Sequence, residues 1–228
     1  MRAFADIYAD AAARKGGEAA LEALIGEHKT LGPAELAAVP DDRWLSQMSK
    51  CVFQAGFNWS VIENKWPGFE ARFHGFDPRL NAAMSDEDLD AHLKDTGIVR
   101  NAQKILSVRD NARFLVDLAG EHGSAAAFFA AWPDADFAGL LELMKQRASR
   151  LSGETAARMF RAMGKPSFIA SRDVTAALIK AGVVSGPPKG KKDLAAVQAA
   201  FNAWSAQSGR NLTEISRVLA MSGATPPG

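Results

Sequence analysis

Lys50-Cys51-Val52-Phe53-Gln54-Ala55-Gly56-Phe57-Asn58-Trp59 is the stretch on which the reading of the whole chain turns. Upstream, Trp44, Met48, Cys51 and Ala55 recur at spacings of four, three and four, one apolar stripe of a helix. Gly56 can take the left-handed conformation that ends a helix. Asn58 can cap the next through its side-chain oxygen. Trp59 follows at the mouth of that junction, beside polar Gln54 and Asn58. A wide flat ring among polar groups suits a flat, edge-reading ligand such as a nucleobase. The competing reading is that a tryptophan at a helix junction belongs to the core.

Working outward, helices are expected at about Phe4–Lys15, around Ala20–Ile25, and from Asp41 or Asp42, either of which can cap the central helix. A short helix from Trp59 should stop at Pro67-Gly68. Pro78 opens another, and Ser85 with Asp88 three residues on forms a capping box. Ile105, Val108, Ala112, Leu115 and Leu118 set one face of a long helix from Asn101 to Glu121. Further helices are expected at Phe137–Arg150, Glu154–Met163, Ser171–Ala181, Asp193–Gln207 and Thr213–Met221, with Gly186-Pro187-Pro188-Lys189-Gly190 as the clearest linker. No stretch alternates with the period of a strand, so the fold class is all-α. Residues 1–184 are expected to form one domain, with 185–228 a linker and C-terminal helical extension packed on it.

The chain has 228 residues, 47% of them hydrophobic, enough for a substantial core. No apolar run is as long as a membrane span. One cysteine excludes an intramolecular disulfide, and a cytoplasmic location is expected. The net charge of +1 hides an asymmetry: Lys145 to Lys192 holds eleven lysines and arginines against Glu154 and Asp173. Such a bias favours a surface that meets an anion such as a phosphate backbone, while the plainer alternative is a set of solvated helix faces.

Gln54-Ala55-Gly56-x-x-Trp59 resembles the Gln-Ala-Gly-x-x-Trp signature of the 3-methyladenine DNA glycosylase I family. The likeness continues through Phe73-His74-Gly75-Phe76-Asp77-Pro78, Asp95-Thr96-Gly97-Ile98-Val99-Arg100, Lys104-Ile105 and Asn111-Ala112-Arg113. It covers roughly Asp42 to Leu118, with a weaker match from Lys165 to Val184. The resemblance implies a helix-hairpin-helix DNA-glycosylase architecture, here with extra C-terminal helices. It also implies base-excision repair of an alkylated purine such as 3-methyladenine, with a damaged DNA duplex as partner; a monomer with no membrane partner is expected.

By the same resemblance Trp59 takes the place of the base-stacking tryptophan and Gln54 that of the motif glutamine, whose amide either contacts a base edge or ties down the helix end. Cys51 stands where the family has a base-contacting glutamate. A thiol is a weak donor and acceptor, so Cys51 carries over no such role and reads as a small buried hydrophobe. The family's structural zinc has no counterpart here: with Cys51 and the dispersed His28, His74, His92 and His122 the ligand set is missing, so neither metal nor cofactor is expected. His74 is expected to be structural. Phe168-Ile169-Ala170-Ser171-Arg172 lies at the family's phosphate-holding hairpin. Ala170 replaces its glycine there, and Arg172 could compensate. Arg100 and Lys104 are expected phosphate contacts. Asp193 is near the spacing of a superfamily catalytic aspartate, although a helix cap is its plainer role. Two alternatives to an active enzyme remain at this point: a DNA- or lesion-binding module that has lost excision, and a helical interaction domain using the pocket for a small molecule or protein.

Overall fold

The computed structural model describes residues 1–223; the end of the chain, including Thr225-Pro226-Pro227-Gly228, lies outside them. Fourteen α-helices follow one another, with no strand among the described residues: α1 (Phe4–Lys15), α2 (Glu18–Gly26), α3 (Pro33–Ala37), α4 (Asp41–Gln54), α5 (Trp59–Arg72), α6 (Pro78–Ala82), α7 (Asp86–Lys94), α8 (Ala102–His122), α9 (Ala125–Ala131), α10 (Phe137–Arg147), α11 (Gly153–Ala162), α12 (Arg172–Lys180), α13 (Lys191–Ser208) and α14 (Leu212–Met221). The all-α expectation holds. Helix α3, opened by Pro33 at its first position, was not foreseen.

The chain divides into two compact units. The first gathers Met1–Leu31, Pro133–Glu142 and the described residues from Gly164 onward. Here α1 packs on α2, α13 and α14, and α14 on α12. Its core contains Phe137, Phe168, Phe201 and Trp204, joined by edge-to-face and tilted ring contacts. The segment before α12 is stitched to α14, because Thr213 Oγ1 accepts from the Ser167 N–H at 3.0 Å and Ser216 Oγ from the Ile169 N–H at 3.2 Å.

The second unit holds Gly32–Trp132 and Leu143–Met163. Helix α8 runs through it against α4, α6, α7 and α9, while α11 and α5 pack on α4. Trp44, fully buried, meets Phe129 and Phe160. A second array links Phe53, Phe69, Trp66, Phe76 and Phe73. That array explains the Phe73-His74-Gly75-Phe76 motif. The chain turns through positive φ at His74 (54°), Gly75 (63°) and Phe76 (61°), and the turn drives both phenylalanines inward. Exposed His74 forms the turn itself.

Two expectations are corrected. Pro67 does not end its helix, because α5 continues through it to Arg72. An internal proline costs about 3 kcal/mol. Here Trp66 and Phe69, both buried, anchor the helix on either side of it in the aromatic array. Neither Asp41 nor Asp42 caps the central helix, whose capping position is Pro40. Asp41 instead reaches α9, its carboxylate accepting from the N–H groups of Ala125 at 3.0 Å and Ala126 at 2.9 Å. Those N–H groups at a helix start have no intrahelical acceptor and favour an anion. No helix of the described residues is long and apolar enough to cross a membrane.

Candidate functional site

The junction of α4 and α5 is built as the sequence implies. Gly56 adopts φ 68°, and Asn58 Oδ1 accepts from the Ser60 N–H at 3.0 Å, capping α5. The turn thrusts Phe57 and Trp59 outward. Trp59 is 51% exposed, which excludes the core reading for it. Lys104 fixes the turn from beneath. Its ammonium donates to the carbonyls of Phe53 at 3.0 Å and Ala55 at 2.7 Å, the unsatisfied end of α4. With the residue only 7% exposed, the Lys104 ammonium faces inward as a helix-end clamp. Burial, and to a lesser degree Arg150, lowers its pKa below the usual lysine range.

Cys51 and Gln54 lie one turn apart on α4, both buried. The thiol accepts from Gln47 Nε2 at 3.3 Å, and burial pushes its pKa up, against a weaker pull from that hydrogen bond, Arg158 and Lys50. It is a neutral group. Gln54 Nε2 donates to Glu63 Oε1 at 2.9 Å, and Lys50 Nζ binds the other carboxylate oxygen of Glu63 at 3.1 Å. From α11, the guanidinium of Arg158 lies over the Trp59 ring and is held by Glu154. Cys51, Gln54, Trp59, Glu63 and Arg158 thus form one neighbourhood. Sequence reasoning missed Glu63, although its four-residue spacing from Trp59 places the two on one helix face.

A family model of methyladenine glycosylases matches residues 38–185. The chain belongs to that family. Among curated relatives, it is 42% identical over 60 residues to DNA-3-methyladenine glycosylase 1 of Escherichia coli and 33% identical over 60 residues to DNA-3-methyladenine glycosylase of Haemophilus influenzae. Each alignment takes in 26% of this chain and 32% of the relative, so the match spans about a third of those proteins' length. The fold is similar to that of a mutant of 3-methyladenine DNA glycosylase I from Staphylococcus aureus, with a TM-score of 0.52 at 16% identity over 78% of this chain and 98% of that one.

In this family member the remaining expected site residues are dispersed. Arg100 is exposed just before α8 and makes no side-chain hydrogen bond among the described residues. Ala170, Ser171 and Arg172 belong to the first unit, at the start of α12. Ser171 caps that helix, accepting from the Val174 N–H at 3.4 Å, and Arg172 is exposed. Asp193 stands in the first turn of α13 with its carboxylate accepting from the Lys189 N–H at 2.8 Å, just before the helix, whose cap position is held by Gly190.

The basic run is largely engaged: Arg158 pairs with Glu154, Lys165 with Asp134, Lys180 with Asp10 and Lys191 with Glu142. The histidines do not fit a zinc site. His28 meets Arg217, His92 is buried against Arg72 and Phe73, His122 contacts Phe128, and no three His, Cys, Asp or Glu among the described residues gather to hold a metal.

Proposed function

We propose that the protein is a DNA glycosylase of base-excision repair that binds an alkylated purine such as 3-methyladenine in duplex DNA and acts as a cytoplasmic monomer. The observation that carries this is the half-exposed indole of Trp59, held out after the Gly56 turn in a chain of the methyladenine glycosylase family. Extracting a base costs a few kcal/mol of lost stacking, and an aromatic shelf returns about 1–3 kcal/mol. In this reading Arg100 and Arg172 contact phosphates, Ser171 orients the start of α12, and Ala170 narrows the backbone's approach there.

A second reading, a lesion-binding protein without excision, is favoured by one observation: Cys51 is a neutral thiol where the resemblance has a carboxylate. One experiment decides. Purified protein is incubated with alkylated DNA and the supernatant is searched for free base by chromatography. Released 3-methyladenine establishes the enzyme. Selective binding of the damaged duplex without release establishes the module, and neither result refutes both.

A further inference from the structure

We infer that Glu63 is a base-contacting residue and makes the site select purines that present an amino group at their edge. This rests on the reading of Trp59 as the stacking surface. Side chains of a helix tilt toward its N-terminus, so Glu63 leans along α5 toward Trp59, one turn earlier. Its side chain is 51% exposed, one helical turn after Trp59, and its carboxylate is held by two side chains of α4: Gln54 Nε2 at 2.9 Å on one oxygen, Lys50 Nζ at 3.1 Å on the other. Lys50 is fixed in turn over the Trp66 ring, 4.8 Å from its centroid. A carboxylate has about four acceptor positions, so about two remain for a ligand.

The same contact orients Gln54. A carboxylate only accepts, so the amide nitrogen must point to Glu63, and the amide oxygen is left as an acceptor with no hydrogen bond among the described residues. Cys51 adds no strong donor, since its sulfur is itself an acceptor toward Gln47. Apart from Arg158, over the ring and held by Glu154, and Lys50, engaged on Glu63, the hydrogen-bonding groups that Gln54 and Glu63 offer are thus acceptors. They match an N–H₂ edge and leave a carbonyl edge unpaired, and an unpaired polar group in a closed site is penalised heavily. The carboxylate absent from position 51 is thereby supplied from the facing helix.

The test is calorimetric binding of two free bases, 3-methyladenine and 3-methylhypoxanthine, which carries oxygen in place of the 6-amino group. Wild type, Glu63→Gln and Trp59→Ala are compared. Glu63→Gln keeps shape and an acceptor for Gln54. It should weaken 3-methyladenine by roughly ten- to a hundredfold and erase most of the preference over 3-methylhypoxanthine. Adding Cys51→Glu to that variant should restore part of the preference. If Glu63→Gln binds 3-methyladenine as wild type does, or loses both bases in parallel, Glu63 is not the selector, and the Trp59 reading still stands provided Trp59→Ala abolishes binding. If wild type binds neither base and Trp59→Ala changes nothing, the stacking surface itself is refuted and this inference falls with it.

Discussion

The guanidinium of Arg158 lies over the indole of Trp59, 5.6 Å from the ring centroid. The shelf is therefore covered on that face by a cation that Glu154, one turn earlier on α11, anchors at its other side. Under the proposed function, a base entering the site either displaces Arg158 or shares the indole with it. Trp59→Ala should abolish preference for a damaged duplex over an undamaged one and leave non-specific binding nearly intact, since the latter comes from phosphates. Because the ring is half in solvent, stability should fall by only about 1 kcal/mol or less, against about 3–5 kcal/mol for a buried tryptophan. Thermal melts run beside the two binding assays check this, and a large loss of stability would count against the placement.

Lys104→Met keeps the aliphatic stem and removes the donor shared by the Phe53 and Ala55 carbonyls. Buried acceptors left unpaired cost about 1–3 kcal/mol. The variant should lose that much in urea melts and should also weaken binding that depends on Trp59, because the turn at Gly56 loses its clamp. Unchanged binding in a destabilised variant would show that the turn holds itself.

Duplex affinity should depend on salt through exposed arginines. Arg100→Ala and Arg172→Ala should each lower the slope of log affinity against log salt by about one unit. Lys180→Ala should leave it unchanged, as that ammonium is 2.8 Å from Asp10. Slopes measured across a salt series decide, and a Lys180→Ala slope lowered as much as the arginine variants' would locate the phosphate surface elsewhere.

His92 links acidity to stability. Burial first, then the neighbouring Arg72, lowers its pKa, and Arg72 Nε donates to its Nδ1 at 2.6 Å. The folded state thus favours neutral imidazole, and between the folded and unfolded pKa values the unfolded chain binds more protons. The contribution is complete above the ordinary histidine pKa of about 6.5 and is lost as pH falls below it toward the lowered value. Denaturation midpoints recorded from pH 8 to pH 5 should decline, and His92→Asn should flatten that part of the decline.

The local devices were legible in the sequence. Gly56 at positive φ, the Asn58 cap and the Ser85–Asp88 box join a side chain or backbone group to neighbours a few residues away, so spacing alone reveals them. What spacing did not reveal are pairings across helices. Asp41 caps a helix 84 residues on, Lys104 reaches back 49 residues to Ala55, and Gln54 meets Glu63 across a turn. Pro67 misled for a related reason: its local penalty is overridden by aromatic packing that becomes visible only once α4 and α5 face each other.

The interleaved path of the chain sets an order of assembly during synthesis. All segments of the second unit, Gly32–Trp132 and Leu143–Met163, have been made once Met163 leaves the ribosomal tunnel. The first unit waits: α1 precedes every helix of the second unit, yet its partners α13 and α14 follow them all. The nascent protein can therefore have the whole of the second unit available while α1 still awaits α13 and α14. A holding chaperone that shields α1 would act in that interval.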